Sequence, residues 1–177
     1  MTASTKLRVA MVELWLAVGL VADSVAGLQW TAPREWTNVG TAPMRAATYK
    51  VPLAAGDHGT AECVVYFFGK GQGGPIDANI ERWRGQFRTS SGKPAVAAIR
   101  KRVVHGLPVT AIDVSGEYTG MSGPVGEPSA VAGYRLLGAI VENPGGNVFL
   151  KFTGPLRTVT ANQAAFEKLL ASFEKQR

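Results

Sequence analysis

The sequence predicts an α+β domain in which an antiparallel sheet is sandwiched by helices. Three observations carry that expectation. Short runs rich in β-branched and aromatic residues recur with turn residues between them; helical periodicity appears in only two places; and glycine and proline are abundant, at 21 and 10 of 177 residues. Strands joined by tight turns pair with their chain neighbours, and helices placed between and after them cover the sheet. With 46% apolar residues, the chain has enough material for one core and one domain.

The first 26 residues read as a targeting segment. Lys6 and Arg8 give a positive start, residues 14–22 are apolar, and Ser24-Val25-Ala26 presents small residues before an expected mature start at Gly27. Residues 27–177 then form the folded domain, exported to the periplasm or the outside. The apolar run is too short to span a bilayer, so no transmembrane anchor is expected after its removal. Two basic and two acidic residues leave with the segment, so the mature chain keeps the net charge of +6. That balance suits an acidic partner surface and says nothing of specificity.

Residues 45–51 and 61–68 read as strands, separated by Gly56-Asp57 and Gly59. A helix follows over residues 75–87, where Ile76, Ile80, Trp83 and Phe87 fall on one stripe behind Pro75. Residues 96–104 and 107–114 read as strands divided at His105-Gly106. Residues 134–142 and 148–153 flank Asn143-Pro144-Gly145-Gly146-Asn147, a strong hairpin signal. Phe166, Leu169, Leu170 and Phe173 predict a final helix, with Thr160 and Gln163 in capping-box spacing before it.

The stretch 69–74 contains the glycine spacing of a dinucleotide-binding turn (Gly69, Gly71, Gly74) between a strand and a helix. Such a turn works inside a parallel βαβ unit, with an acidic residue about 20 positions farther on for the ribose. Here the next carboxylate after Glu81 is Asp113, and hairpins stand where βα units are needed. The glycines are better read as a change of chain direction. An anion held at that helix start, near Lys70, is the alternative, and with it a small hydrolase or an anion- or nucleotide-binding enzyme.

Other chemistry-bearing residues are scattered. His58 and His105 sit at turns without metal-ligand spacing, and Cys63 lies alone in an apolar strand, as a buried inert thiol does. No Gly-x-Ser-x-Gly elbow occurs; Ser115, Glu117 and Ser122 are turn residues. Asp77 and Glu81 share a solvated helical face. The sequence therefore assigns no catalytic residue, metal site or cofactor. Asn79, Arg82 and Trp83 lie at the apolar stripe of the first helix, where Arg82 is read as a latch on a loop or as a ligand contact. Residues 115–133 read as a long glycine-rich loop, with Tyr118 and Met121 as adaptable contacts for a protein or small-molecule partner. Arg100, Lys101 and Arg102 make a basic strand without interleaved aromatics, so nucleic acid is not the expected partner.

Leu28-Gln29-Trp30, Pro33, Trp36, Met44-Arg45, the segment Gly73-Gly74-x4-Asn79-x2-Arg82-Trp83-x2-Gln86-Phe87, and Gly154-Pro155 before the Phe166 helix together resemble uncharacterised secreted bacterial proteins related to the PsbP-like extrinsic subunits of photosystem II. The resemblance covers most of residues 28–175. It implies a helix-sandwiched antiparallel sheet and a non-enzymatic binding or accessory role. Nothing in the chain suggests photosynthesis, and that role is not carried over.

Overall fold

The computed structural model describes residues 22–120 and 130–176. The expected leader falls outside the described residues up to position 21, as does Met121. Among the described residues eleven strands and three helices occur in the order β1 (Asp23–Val25), β2 (Leu28–Trp30), β3 (Thr37–Asn38), β4 (Arg45–Lys50), β5 (Glu62–Phe67), α1 (Ile76–Gly85), β6 (Phe87–Arg88), β7 (Ala97–Val104), β8 (Leu107–Tyr118), β9 (Val131–Val141), β10 (Val148–Pro155), α2 (Leu156–Ala161), α3 (Gln163–Ala171) and β11 (Glu174–Lys175). Strands β3-β4-β5-β10-β9-β8 form the main sheet, with β6 and β7 both pairing to β8; β1, β2 and β11 form a small second sheet. All of these pairings are antiparallel.

The local chemistry explains the turns. His105 and Gly106 both have positive φ, 45° and 78°, the requirement of a two-residue hairpin whose twist matches its strands. Ala26 and Gly27, with φ of 54° and 75°, make the same kind of turn between β1 and β2. The mature start expected at Gly27 therefore lies within a hairpin. Upstream of it, Asp23 accepts a hydrogen bond from the Tyr49 hydroxyl, which in turn accepts one from the Trp30 indole at 2.8 Å.

Because side chains alternate along a strand, each face of the main sheet has its own composition. One face presents Cys63, Val65, Leu150, Phe152, Leu137 and Ala139 to α2, α3 and the small sheet. Trp30, Trp36, Phe166, Leu169, Leu170 and Phe173 complete this core, with Trp30 stacked on Phe173 at 5.1 Å. Arg135 ties the helices down: it donates to both oxygens of Asp113 at 2.9 and 2.7 Å, and to Thr160 and Gln163 at 2.9 Å each. The other face packs Ile112, Val114, Leu136, Ile140 and Phe149 against Ile80, Trp83 and Phe87 from α1 and the strand after it.

Three sequence expectations need correction. The loop expected over 115–133 is shorter, because β8 runs to Tyr118 and β9 begins at Val131. Tyr118 is a buried residue at a strand end, stacked on Tyr134 at 5.8 Å, and not an adaptable loop contact. The capping box is absent: Thr160 belongs to α2, no side chain caps α3, and Gln163 accepts from Arg135 instead. The helix expected to reach Phe87 stops at Gly85, since Phe87 pairs with Tyr118.

Candidate functional site

The glycine-rich segment 69–74 leads from β5 into α1. Asn79, buried, donates to the carbonyls of Gly73 and Pro75 at 2.8 and 2.9 Å, and accepts from Arg82. A Cβ on Gly73 would lie 2.7 Å from the Phe149 ring, and the backbone there has φ of 91°. The glycine is required by packing and by backbone angle, which accounts for it without a nucleotide. The neighbouring strands are antiparallel, so the βαβ setting of a dinucleotide turn does not form.

Ten residues of α1 cannot cover a face built by strands of up to twelve. Among the described residues nothing covers the sheet beside the helix, and two adjoining depressions share Tyr66 and Lys151 as lining residues. The first, of about 210 Å³, is bounded by Arg45, Glu62, Tyr118, Tyr134 and Thr153. The second, of about 200 Å³, is bounded by Phe68, Asn79, Arg82, Trp83, Gln86 and Phe149. Lys151 points into this cleft from the middle of β10, where its register partner on β9 is Gly138. The absent side chain at Gly138 lets the Trp83 ring lie against the backbone.

The Lys151 ammonium donates to Gln86 Oε1 at 2.8 Å and to the Tyr118 hydroxyl at 3.0 Å, and lies 5.3 Å from the Tyr118 ring centre. Burial disfavours its charge and pushes its pKa down to about 8; Arg82 and Arg45 push the same way, and Glu62 opposes them. Burial also raises the Tyr118 phenol to about 12 and raises Tyr66, so both stay protonated at neutral pH. Glu62 meets Arg45 at 3.8 Å, whereas neither Arg82 nor Lys151 pairs with a carboxylate among the described residues. The Thr153 hydroxyl, on the same face of β10, is buried without a hydrogen-bond partner among the described residues. Among those residues the cleft thus combines aromatic walls, excess positive charge and one unpartnered hydroxyl.

Four of the residues singled out from sequence, Asn79, Arg82, Trp83 and Tyr118, line this cleft, and Met121 lies outside the described residues. Arg82 contacts Asn79 rather than a loop carbonyl, and Asn79 is the latch. Arg45 enters the sequence reading only through the resemblance, Glu62 only as a loose partner of Asp57-His58, and Lys151 and Tyr66 not at all. Their signal was a polar or charged residue inside an apolar strand, as in Val148-Phe149-Leu150-Lys151-Phe152, with Thr153 two positions on. The remaining candidates do not join the site. His105 Nδ1 sits 2.9 Å from the Phe173 carbonyl, Cys63 is fully buried with its thiol pKa raised by burial, and Glu81 pairs with Arg84 at 2.5 Å. Among the described residues no three His, Cys, Asp or Glu side chains converge, and no helix is long and apolar enough to cross a membrane.

No family model matches the sequence, and no curated protein matches it either. Solved structures do. The chain superposes on cyanobacterial PsbP from Synechocystis sp. PCC 6803 with a TM-score of 0.53 at 12% identity, over 93% of this chain and 98% of that one. A protein of unknown function from Pseudomonas aeruginosa matches with a TM-score of 0.49 at 10% identity, over 89% and 97% of the two chains. A protein from Bacteroides thetaiotaomicron matches with 0.48 at 10% identity, over 88% of this chain and 47% of that one. At such identity a likeness concerns architecture: the chain has the PsbP-like fold, an antiparallel sheet sandwiched by helices.

Proposed function

We infer that the protein is an exported, non-enzymatic binding or accessory module that holds a small molecule in the cleft around Lys151. The observation that carries this reading is the buried ammonium itself. A lysine placed between aromatic rings loses hydration, and a fold retains that cost more readily where a bound molecule offsets it. Around it the polar groups serve to orient: Gln86 and Tyr118 hold the ammonium, and both tyrosine phenols remain neutral. Among the described residues that line it, no hydroxyl is hydrogen-bonded to a histidine or carboxylate. An acidic protein partner on the basic strand β7 would be a second role for the same module.

Native mass spectrometry of the protein isolated from its own envelope fraction tests the reading. The expected result is a small-molecule adduct that is released unchanged and is missing from Lys151→Met. An adduct that persists in the variant, or one released as a converted product, removes it. The mass of the same sample gives the first residue of the mature chain. A start at Gly27 would leave Tyr49 without the Asp23 carboxylate, and a start before Asp23 would keep the β1–β2 hairpin whole.

A further inference from the structure

Taking the cleft to be a ligand site, as inferred above, we propose that its occupant is a small organic carboxylate with a planar apolar body, its charge set at Lys151 and its body against the aromatic walls. Charge comes first. The groups facing Lys151 are Arg45 from β4, Glu62 and Tyr66 from β5, Tyr118 from β8, Tyr134 from β9 and Arg82 from the helix. The one carboxylate among them is engaged by Arg45, which leaves two cations uncompensated among the described residues and selects an anion over a neutral or cationic ligand.

Donor count and size narrow the class. Lys151 spends two of its three N–H groups on Gln86 and Tyr118. One N–H remains, together with the Tyr118 O–H, which accepts from Lys151 and still has its proton to give. Both donors belong to residues that line the same depression. They match the two oxygens of a carboxylate, whereas a phosphate dianion presents more acceptors and charge than they supply. Each depression, of about 210 and 200 Å³, admits a ring-sized body. The walls suit a flat one: Tyr66 lies parallel to Phe68, with 4° between the rings, and Tyr118 to Tyr134, with 3°.

Calorimetric titration of the full chain with phenylacetate, phenylacetamide, 2-phenylethylamine and inorganic phosphate at matched ionic strength tests the class. Phenylacetate is expected to bind at least about tenfold more tightly than its amide, with the amine and phosphate weaker still. Because the anion favours the charged ammonium, binding to the wild-type chain near pH 8 should take up about half a proton, read from buffers of different ionisation enthalpy. That readout requires no variant. In Lys151→Met, provided it shows the wild-type circular dichroism, the preference of acid over amide should vanish and the uptake with it. Equal binding of acid and amide, phosphate binding as well as phenylacetate, or binding without proton uptake overturns the proposal. In those cases a Lys151-dependent native adduct would leave the ligand site standing, whereas a silent panel together with no adduct would remove both.

Discussion

The two faces of the main sheet are built from the same strands and end in different states. Toward α2, α3 and the small sheet the face is closed through its centre, where the large side chains, from Trp30 to Phe173, are buried, and it opens at its β7–β8 margin, in a depression of about 340 Å³ against α3. Toward α1 a single helix covers part of the face and leaves Lys151, Tyr66, Arg45 and Thr153 around a cleft. The difference teaches where each face's free energy goes. Closed packing converts apolar area into stability at roughly 25 cal/mol per Å². The half-covered face instead carries a desolvated ammonium and a hydroxyl without a partner among the described residues, both of which cost stability.

The largest effect should come from breaking the closed face. Phe152 is buried between Trp36, at 5.1 Å, and Phe166, at 6.0 Å, and its register partners are Cys63 on β5 and Leu137 on β9. Phe152→Ala should lose about 3–5 kcal/mol in urea unfolding, because rings held on several sides cannot collapse into the space. A loss under about 1 kcal/mol would show that this face is looser than described.

Next in size is a change at the border of the cleft. A Cβ on Gly138 would lie 2.7 Å from the Trp83 ring and 2.9 Å from an Ile112 methyl. Gly138→Ala should therefore cost about 1–3 kcal/mol by overpacking. It should also shift α1, and a fluorescence change at Trp83 would report that. Unchanged stability and fluorescence would mean the helix seat is adjustable and the cleft width not fixed by this contact.

The same contrast explains what could be read from the sequence. The Phe166-Leu169-Leu170-Phe173 stripe and the β9–β10 hairpin announced the closed face, since period and turn chemistry are local properties. So did the antiparallel order that disposed of a dinucleotide turn at Gly69–Gly74. Asn79, Arg82 and Trp83 were legible because a helix keeps its face-sharing residues three and four apart. Lys151 meets Tyr66, Tyr118 and Arg82 only across paired strands and over a helix, and these separations have no sequence period. The short strands β1, β2 and β11 were invisible for a related reason: pairings of two or three residues, with β11 reaching β2 from the far end of the chain, are held by Trp30, Tyr49 and Asp23 rather than by local propensity. Tyr118 was misread because glycines after a strand look alike whether or not the preceding residue is paired.

The smallest effect, and the sharpest test of the comparison, is Lys151→Met. The ordinary lysine pKa near 10.5 falls to about 8 in the fold, so the folded state gives up its proton before the unfolded state does. Below about pH 8 both states hold the proton and the full desolvation cost is present. Between about pH 8 and 10.5 the unfolded state holds more protons, and stability gains with pH, by at most about 1.4 kcal/mol per unit. Cys63 and the buried tyrosines act in the opposite sense above their unfolded values, because their folded pKa values are raised. They are common to both proteins, so the difference between wild type and variant isolates Lys151. Urea unfolding at pH 7 should find Lys151→Met as stable as the wild type or more so, with that advantage shrinking toward pH 10. A variant less stable at pH 7 would mean that the hydrogen bonds to Gln86 and Tyr118 outweigh the desolvation of the ammonium, making Lys151 a structural strut and the half-open face no different in kind from the closed one.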